Sequence, residues 1–329
     1  MDTPSHLSVI LDLSPTQWAL SAQSTNPPGI SLETFLSQLL AFLNAHIACK
    51  DENTLAVFGA LPGESVLLYS STGEVTASDD GPTDSNTYRP FKTLDATVMK
   101  SLAERLESFG DAAEEAPIGI VGCMTKALCY INRITSNTTA AGPNEDGPTA
   151  SIDPRILVLS VSPDQSSTYI PIMNSIFSAQ KLKVTIDVCK IFGADNVFLQ
   201  QAAHLTGGAY VQVDRTDALL QYMMMSFLPP PAIRQLIAVP TQDRVDFRAA
   251  CFCHKRIVEI GFVCSVCLSI FCQPVPVCST CRTKFPIKTL QRLNASRPPA
   301  ASLSSAPGTP ARPLAHRNGT ATPATPRPG

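Results

Sequence analysis

Apolar runs and amphipathic stretches alternate along the first 228 residues of the chain. HLSVILDL (6–13) is a nearly unbroken apolar run that ends on Asp12 and then Ser14, Pro15 and Thr16. Such a run predicts a central parallel strand with a carboxylate at its C-terminal edge. Ser31 then caps a predicted helix over SLETFLSQLLAFLNAHIAC, whose Leu32, Phe35, Leu36, Leu39, Leu40, Phe42 and Leu43 form one broad stripe. His46, late on that helix, reads as a packed histidine rather than a ligand. TLAVFGAL (54–61) and SVLLYSS (65–71), joined through Pro62-Gly63-Glu64, read as a hairpin. Residues 73–86 read as an acidic loop, and Leu94, Val98, Leu102 and Leu106 place a helix over 93–109. A loop at 110–117 precedes a second buried helix at 119–133, and 136–150, without periodicity, reads as disordered.

The alternation then resumes. A strand is expected at 155–161, a helix at 169–182, a strand at 183–192, and a helix at 196–205 stopped by Gly207-Gly208. A last strand at 209–213 is followed by a helix at 217–228 that ends at Pro229-Pro230-Pro231, with Met223, Met224 and Met225 suited to packing against a partner or the sheet and expected chiefly as core filler. Strands apolar throughout and alternating with helices predict an α/β fold: a mostly parallel, Rossmann-like sheet with helices on both faces.

Composition sharpens the division. At 329 residues, 44% hydrophobic and 16% charged, the chain has material for one large core and one small domain. No apolar run comes near the ~18 residues of a bilayer span, so no membrane partner is expected. The formal charge of −2 hides an acidic body: residues 1–250 hold 15 Lys+Arg against 26 Asp+Glu, while 251–329 hold 10 against one. A basic end attracts nucleic acid or acidic protein surfaces.

Cysteine usage supplies the chemistry. Seven of the eleven cysteines fall within Cys251–Cys281, and Cys264/Cys267 and Cys278/Cys281 are C-x-x-C knuckles separated by ten residues. Four thiolates at that spacing make a closed tetrahedral zinc site in a compact, hairpin-like finger, with no open position for catalysis. Disulfides or inert core thiols are the alternative, but the first twenty residues carry Asp2 and Asp12, no Lys or Arg and no cleavage-like pattern. Cys251, Cys253, His254 and Cys272 are candidates for a second zinc, with Cys272 otherwise a small buried hydrophobe. The expected organisation is a sheet domain at 1–228, a linker or helical connection at 229–250, a zinc finger at 251–295, and a disordered basic tail rich in Pro, Ala, Ser and Thr at 296–329.

Several of these segments together resemble a known family. Asp-x-Ser-x-Thr ending the first strand, GCMTKALCYI, ILVLSVS and KVTIDVCKIFGADNVFLQQAAHLTGGAYVQV resemble a von Willebrand factor A-type domain. The continuation from FLPPPAIRQLIAVPTQDRVDF to FVCSVCLSIFC is similar to the smaller A-domain subunit family of the core of transcription factor IIH. The resemblance implies a non-catalytic nuclear subunit that serves promoter opening by RNA polymerase II and nucleotide excision repair. It further implies as partners a second zinc-bearing A-type subunit and the core helicases, with indirect or weak DNA contact. In A-type domains a divalent ion sits on Asp-x-Ser-x-Ser, a later threonine and a later aspartate. Asp12, Ser14 and Thr16 match the first element, whereas Gly122 and Ser162 stand near the other two positions, with Asp164 two residues late. No Mg²⁺ is therefore expected at Asp12, which would serve as a strand-end cap or partner contact.

No P-loop, nucleophile elbow or open zinc position points to an enzyme. The alternative function is a zinc-finger DNA-binding protein in which Lys255, Arg256, Arg282, Lys284 and Lys288 contact phosphates. A ubiquitin-ligase RING stands third, because C-x-C-H does not reproduce the ligand order of that module.

Overall fold

The computed structural model describes residues 3–25, 29–72, 88–108, 116–140, 152–164, 169–234, 236–237, 239, 245–254, 256–288 and 291–292. The expected loop at 73–86, most of 110–117, residues 141–150 and the tail at 296–329 lie outside these residues. Two compact units are formed, Met1–Gly261 and Phe262–Gly329.

The first unit is built on a six-stranded sheet of β1 (Ser5–Asp12), β2 (Thr54–Leu61), β3 (Glu64–Ser70), β4 (Asp153–Ser160), β5 (Thr185–Lys190) and β6 (Tyr210–Gln212). The order is β3-β2-β1-β4-β5-β6. All neighbours are parallel except β2 and β3, which form the hairpin expected from Pro62-Gly63-Glu64. Helices α1 (Pro15–Gln23), α2 (Leu32–Cys49), α3 (Arg89–Glu107), α4 (Ile120–Ala140), α5 (Tyr169–Leu182) and α6 (Val197–Thr206) connect the strands.

Period-two alternation on the strands divides the core. Leu7, Val9 and Leu11 of β1 join Leu157 and Leu159 of β4 in one apolar cluster with α2 and α3. Ile10, Ile156 and Val158 face the other way, into a cluster with α4, α5 and α6. Burial of both sheet faces explains why the strands read as unbroken apolar runs. Sequential order reverses around β1, so the crevice at the C-terminal ends of β1 and β4 is where a sheet of this kind presents ligand-facing groups. Asp12 and Ser162 meet there.

Several elements depart from expectation. Helix α1 was not anticipated, although Ser14 caps it by accepting from the Gln17 amide and Pro15 occupies its first turn. Its Trp18 donates to the Asp12 carbonyl at 2.8 Å. Helix α4 continues to Ala140, into the stretch expected to be disordered, because no Gly or Pro interrupts it before Gly142. Helix α2 is long and apolar enough to cross a bilayer, which corrects the expectation that no stretch reaches that length. Its apolar positions are interspersed with Glu33, Gln38 and Asn44, and Phe35, Leu36, Leu39, Phe42 and Leu43 are spent inside the core. Gly207 ends α6 with φ of 73°, the left-handed cap a glycine adopts at least cost.

The expected helix at 217–228 is broken into a 3₁₀ turn at Thr216–Ala218, α7 (Leu219–Tyr222) and a π-turn at Met223–Phe227. Met223 is buried, but Met225 is exposed, so the methionines are not uniformly core filler. The short α8 (Pro231–Arg234) follows. Two arginines fasten this end of the sheet unit. Arg155, fully buried on β4, donates to the carbonyls of Phe227 and Pro229 at 3.0 Å each and of Leu228 at 3.4 Å. Arg234 donates to Pro229 and makes a two-pronged ion pair with Asp187 of β5 at 2.5 and 2.7 Å. The Phe227 carbonyl ends the π-turn and those of Leu228 and Pro229 follow it, and their burial without a donor would be costly.

Candidate metal centre and sheet rim

The second unit holds a two-stranded hairpin, β7 (Phe262–Val263) with β8 (Ile270–Phe271), in antiparallel register. The hairpin turn is the first knuckle. Its Cys264 amide donates to Ser269 and its Leu268 amide to Cys264, at 2.9 and 3.0 Å, while Leu268 adopts φ of 60°. The second knuckle repeats this geometry. The Cys278 amide donates to Thr283 and the Arg282 amide to Cys278, at 2.9 Å each, with Arg282 also at φ of 60°. CSVCLS and CSTCRT are thus the same turn used twice.

The two turns bring four sulfurs together. Cys264 and Cys281 Sγ are 3.7 Å apart, Cys267 and Cys278 Sγ 3.5 Å, and all four lie within 4.8 Å of one another. Zinc–sulfur bonds of about 2.3 Å in a tetrahedron require sulfurs about 3.8 Å apart, so this donor set fits a zinc ion. All four are free thiols. Ser269 lies 3.1 Å from Cys267 Sγ and Thr283 3.1 Å from Cys281 Sγ. Hydrogen bonding by the Ser269 hydroxyl lowers the Cys267 pKa to about 6, and Thr283 lowers that of Cys281. Both hydroxyls escaped the sequence reading, although the repeated C-S-x-C-x-S/T carries the signal.

A second cysteine-rich group also has the donors of a metal site. Cys251, Cys253 and His254 offer ligand atoms within 4.8 Å of one another. The Cys251 amide donates to Arg256 at 2.9 Å, and Ala250 bridges to Ile257, which closes the C-x-C-H turn. Cys272, expected to join them, lies half-buried just after β8 in the second unit. Of the residues expected to contact DNA, Lys255 is outside the described residues, and Arg256, Arg282, Lys284 and Lys288 are exposed. Phe271 of β8 is buried, while Ile260, Val263, Val266, Leu268 and Ile287 are exposed.

At the sheet rim the donor set does not fit a divalent ion. Asp12 Oδ2 accepts from the Val161 and Ser162 amides at 3.0 and 2.7 Å, and Oδ1 from the Ser162 hydroxyl at 2.9 Å and the Ser14 amide at 3.3 Å. Four donors thus occupy a carboxylate that offers about four lone pairs. Ser14 and Thr16 hydroxyls bond each other at 3.1 Å. At Gly122 a Cβ would stand 2.8 Å from Ser65 Oγ, so a threonine there requires Ser65 to move. Lys190, fully buried, donates to the Ser162 carbonyl at 2.6 Å. Burial lowers its pKa to about 8 despite Asp12, Asp164 and Asp195, which favour the charged form. Lys190 was not singled out from sequence, since it closes an otherwise apolar strand. His46 is buried and bonded to the Thr54 carbonyl, the packed role expected of it.

The fold and the two cysteine groups define a class: a mostly parallel α/β sheet domain followed by a small cysteine-rich unit able to hold metal. The family model described as transcription factor Tfb4 matches residues 4–282, and the chain belongs to that family. It is 39% identical over 293 residues to the general transcription and DNA repair factor IIH subunit tfb4 of Schizosaccharomyces pombe, covering 88% of this chain and 92% of that protein. The corresponding Arabidopsis thaliana subunit is 36% identical, covering 86% of this chain and 90% of the relative. Among solved structures, the crystal structure of the TFIIH p34 N-terminal domain superposes with a TM-score of 0.55 at 28% identity. It covers 68% of this chain and 98% of that one.

Proposed function

We propose that the chain is a non-catalytic structural subunit of the core of transcription and DNA repair factor IIH, acting in RNA polymerase II initiation and nucleotide excision repair through protein contacts. The observation that carries this reading is the family match from residue 4 to residue 282, which spans both the sheet and the paired knuckles. The relatives are named as transcription and DNA repair factor subunits, which supports a nuclear location. In this reading residues 1–228 form the A-like domain, 229–250 the connection, 251–295 the zinc domain and 296–329 a tail. Zinc is held by Cys264, Cys267, Cys278 and Cys281, whose sulfur spacing supports it. A second zinc is held by Cys251, Cys253 and His254 with Cys272. No Mg²⁺ binds at Asp12, because its oxygens already serve the backbone of the β4 loop.

Partners in this reading are a second zinc-bearing A-type subunit and other core subunits, including the helicases. The exposed Ile260, Val263, Val266, Leu268 and Ile287 give the metal-bearing segment the apolar anchors that carry binding energy at protein interfaces. That apolar surface favours protein over DNA as the main contact. Reconstitution with the second A-type subunit tests the reading. Cys264→Ser should abolish co-purification while the sheet domain keeps its melting transition, and the pure chain should hydrolyse no nucleotide. Full partner retention by the variant, or turnover of any substrate by the pure chain, would refute it.

A further inference from the structure

Beside Asp12, on the α4–α6 face of the sheet, lies a notch of about 30 Å³ lined by Ile118, Ile120, Val121, Ile172 and Leu199, with Ser162, Asp164 and Asn196 as its polar members. That volume holds one small polar group, since a water needs ~10–15 Å³ on this measure. Asn196, at the N-terminus of α6, donates through Nδ2 to Ser160 Oγ at 3.3 Å and to the Ser162 carbonyl at 3.1 Å. Those two bonds fix the amide orientation. Its Oδ1 is then buried with no hydrogen-bond partner, one of three such atoms among the described residues. An orphan buried acceptor calls for a donor.

Asp164, in the same notch, accepts from the Phe198 amide at 3.3 Å. Burial raises its pKa, the amides of Phe198 and Val197 and the charge of Lys190 offsetting part of the rise. Among the described residues Lys190 is the buried cation whose charge acts on Asp164, and Asp12, Asp164 and Asp195 all act on it. Three carboxylates against one ammonium leave the rim acidic. The notch therefore pairs an unmatched carbonyl and a surplus of negative charge with walls of Ile, Val and Leu.

We propose that this notch captures a lysine side chain of a partner protein, whose aliphatic stem lies along Ile118, Ile120, Val121 and Leu199 while its ammonium meets Asn196 Oδ1 and Asp164. Long basic side chains bury their stems on apolar surface and keep the charged head on acceptors, which is the division of polarity found here. An ammonium, with three donors and no acceptor, suits a pocket whose unmet need is for donors. The capture extends the scaffold reading by assigning the sheet unit a contact of its own.

The test uses the full chain and a small probe, Nα-acetyl-lysine methylamide, with Nα-acetyl-norleucine methylamide as its uncharged counterpart. Titration is followed by NMR at the Asp164 carboxyl and the Asn196 side-chain amide. The lysine probe should give saturable shifts at both groups and lower the Asp164 pKa on binding. Norleucine should bind at least about tenfold more weakly, the smallest effect expected when a hydrogen bond to a charged group is lost. Asp164→Asn, which keeps an acceptor for the Phe198 amide, should lose affinity by a similar factor with an unchanged melting temperature. The exposed Asp214→Asn should behave as wild type. Equal binding of both probes, an Asp164→Asn variant of undiminished affinity, or no saturable shift would overturn the proposal. So would MgCl₂ alone producing the same shifts and displacing the lysine probe, which would assign the notch to an inorganic cation. No partner subunit is present in this experiment, so its failure leaves the scaffold reading intact, and failure of the finger variants to release a partner leaves the notch intact.

Discussion

Asp187→Ala is the most incisive perturbation of the sheet unit. Asp187 and Arg234 are buried, with side chains 1% and 9% exposed, and are joined by two charge-assisted bonds. The same carboxylate accepts from the Ala209 amide at 2.9 Å, where β5 receives the chain entering β6. Removing it leaves a guanidinium buried without its counter-charge and strands one backbone donor. Breaking a buried pair by deleting one partner costs about 3–5 kcal/mol, and an orphaned buried amide adds about 1–3 kcal/mol. These terms overlap, because Arg234 can swing toward solvent, so a loss of about 3–5 kcal/mol is expected. The double variant Asp187→Val with Arg234→Met should recover much of it, since replacing both charges by apolar groups removes the desolvation penalty. Urea denaturation of the two single variants and the double variant, analysed as a cycle, measures the coupling. A loss below about 1 kcal/mol for Asp187→Ala would show that this pair does not hold the π-turn and α8 against the sheet.

Three further outcomes follow from the structure. Chelation of metal from the full chain should unfold the 262–288 segment while leaving the sheet-domain transition in place, and metal analysis should return zinc with release of protons on rebinding, because the ligands bind as thiolates; retention of the finger's amide protection in excess chelator would contradict the paired-knuckle site. His6 and His46 are buried with pKa values lowered to about 4, chiefly by desolvation. Unfolding raises both toward about 6.5, so stability should be constant above that pH and fall as pH drops from about 6.5 to about 4, by up to about 1.4 kcal/mol per unit for each histidine; a flat profile across that window, read by thermal melts, would disprove neutral burial. Gly122→Thr restores a hydroxyl at the position expected from A-type domains, yet Ser65 Oγ stands 2.8 Å from the new Cβ. The variant should lose about 1–3 kcal/mol and gain no Mg²⁺-dependent rise in melting temperature.

The sequence disclosed whatever rests on periodicity and spacing. β1, β2, β4 and β5 are buried on both faces, so their apolar runs needed no tertiary information. The β2–β3 hairpin and the Gly207 stop are local turn chemistry. The grouping of the four knuckle cysteines was legible because each C-x-x-C turn holds two thiols side by side, and the structure brings both turns together. What stayed hidden depends on partners distant in the chain. Arg155 interrupts the start of an apolar strand, and nothing near it in sequence shows that its guanidinium meets carbonyls at 227–229. The π-turn is likewise invisible in DALLQYMMMSFL, because side-chain pattern does not report which carbonyls are taken by an arginine more than 70 residues earlier.

The rim shows how far such hidden partners can redirect a motif. Asp12, Ser14 and Thr16 still spell most of an ion-binding element, and sequence alone could weigh only the missing threonine and aspartate. The structure adds where the lone pairs went. Asp12 accepts from the Val161 and Ser162 amides across the β1–β4 crevice, so the carboxylate of that motif fixes the turn leaving β4. That turn carries Ser162, whose carbonyl receives both Lys190 and Asn196. Once the turn is fixed, Asn196 is oriented and its second oxygen is left without a donor. The retained aspartate, the buried lysine and the orphan acceptor are therefore linked by successive hydrogen bonds, and a variant such as Asp12→Asn should disturb the notch at Asn196 before it disturbs the sheet. An amide in place of the carboxylate turns one acceptor into a donor, so either the Val161 and Ser162 amides or the Ser14 amide loses its acceptor. The Asn196 side-chain resonance should then shift or broaden in the full chain while the β1 and β2 amides keep their protection from exchange. If Asp12→Asn left Asn196 unmoved, the rim would be a set of independent contacts and the hydrogen-bond chain from Asp12 to the notch would be wrong.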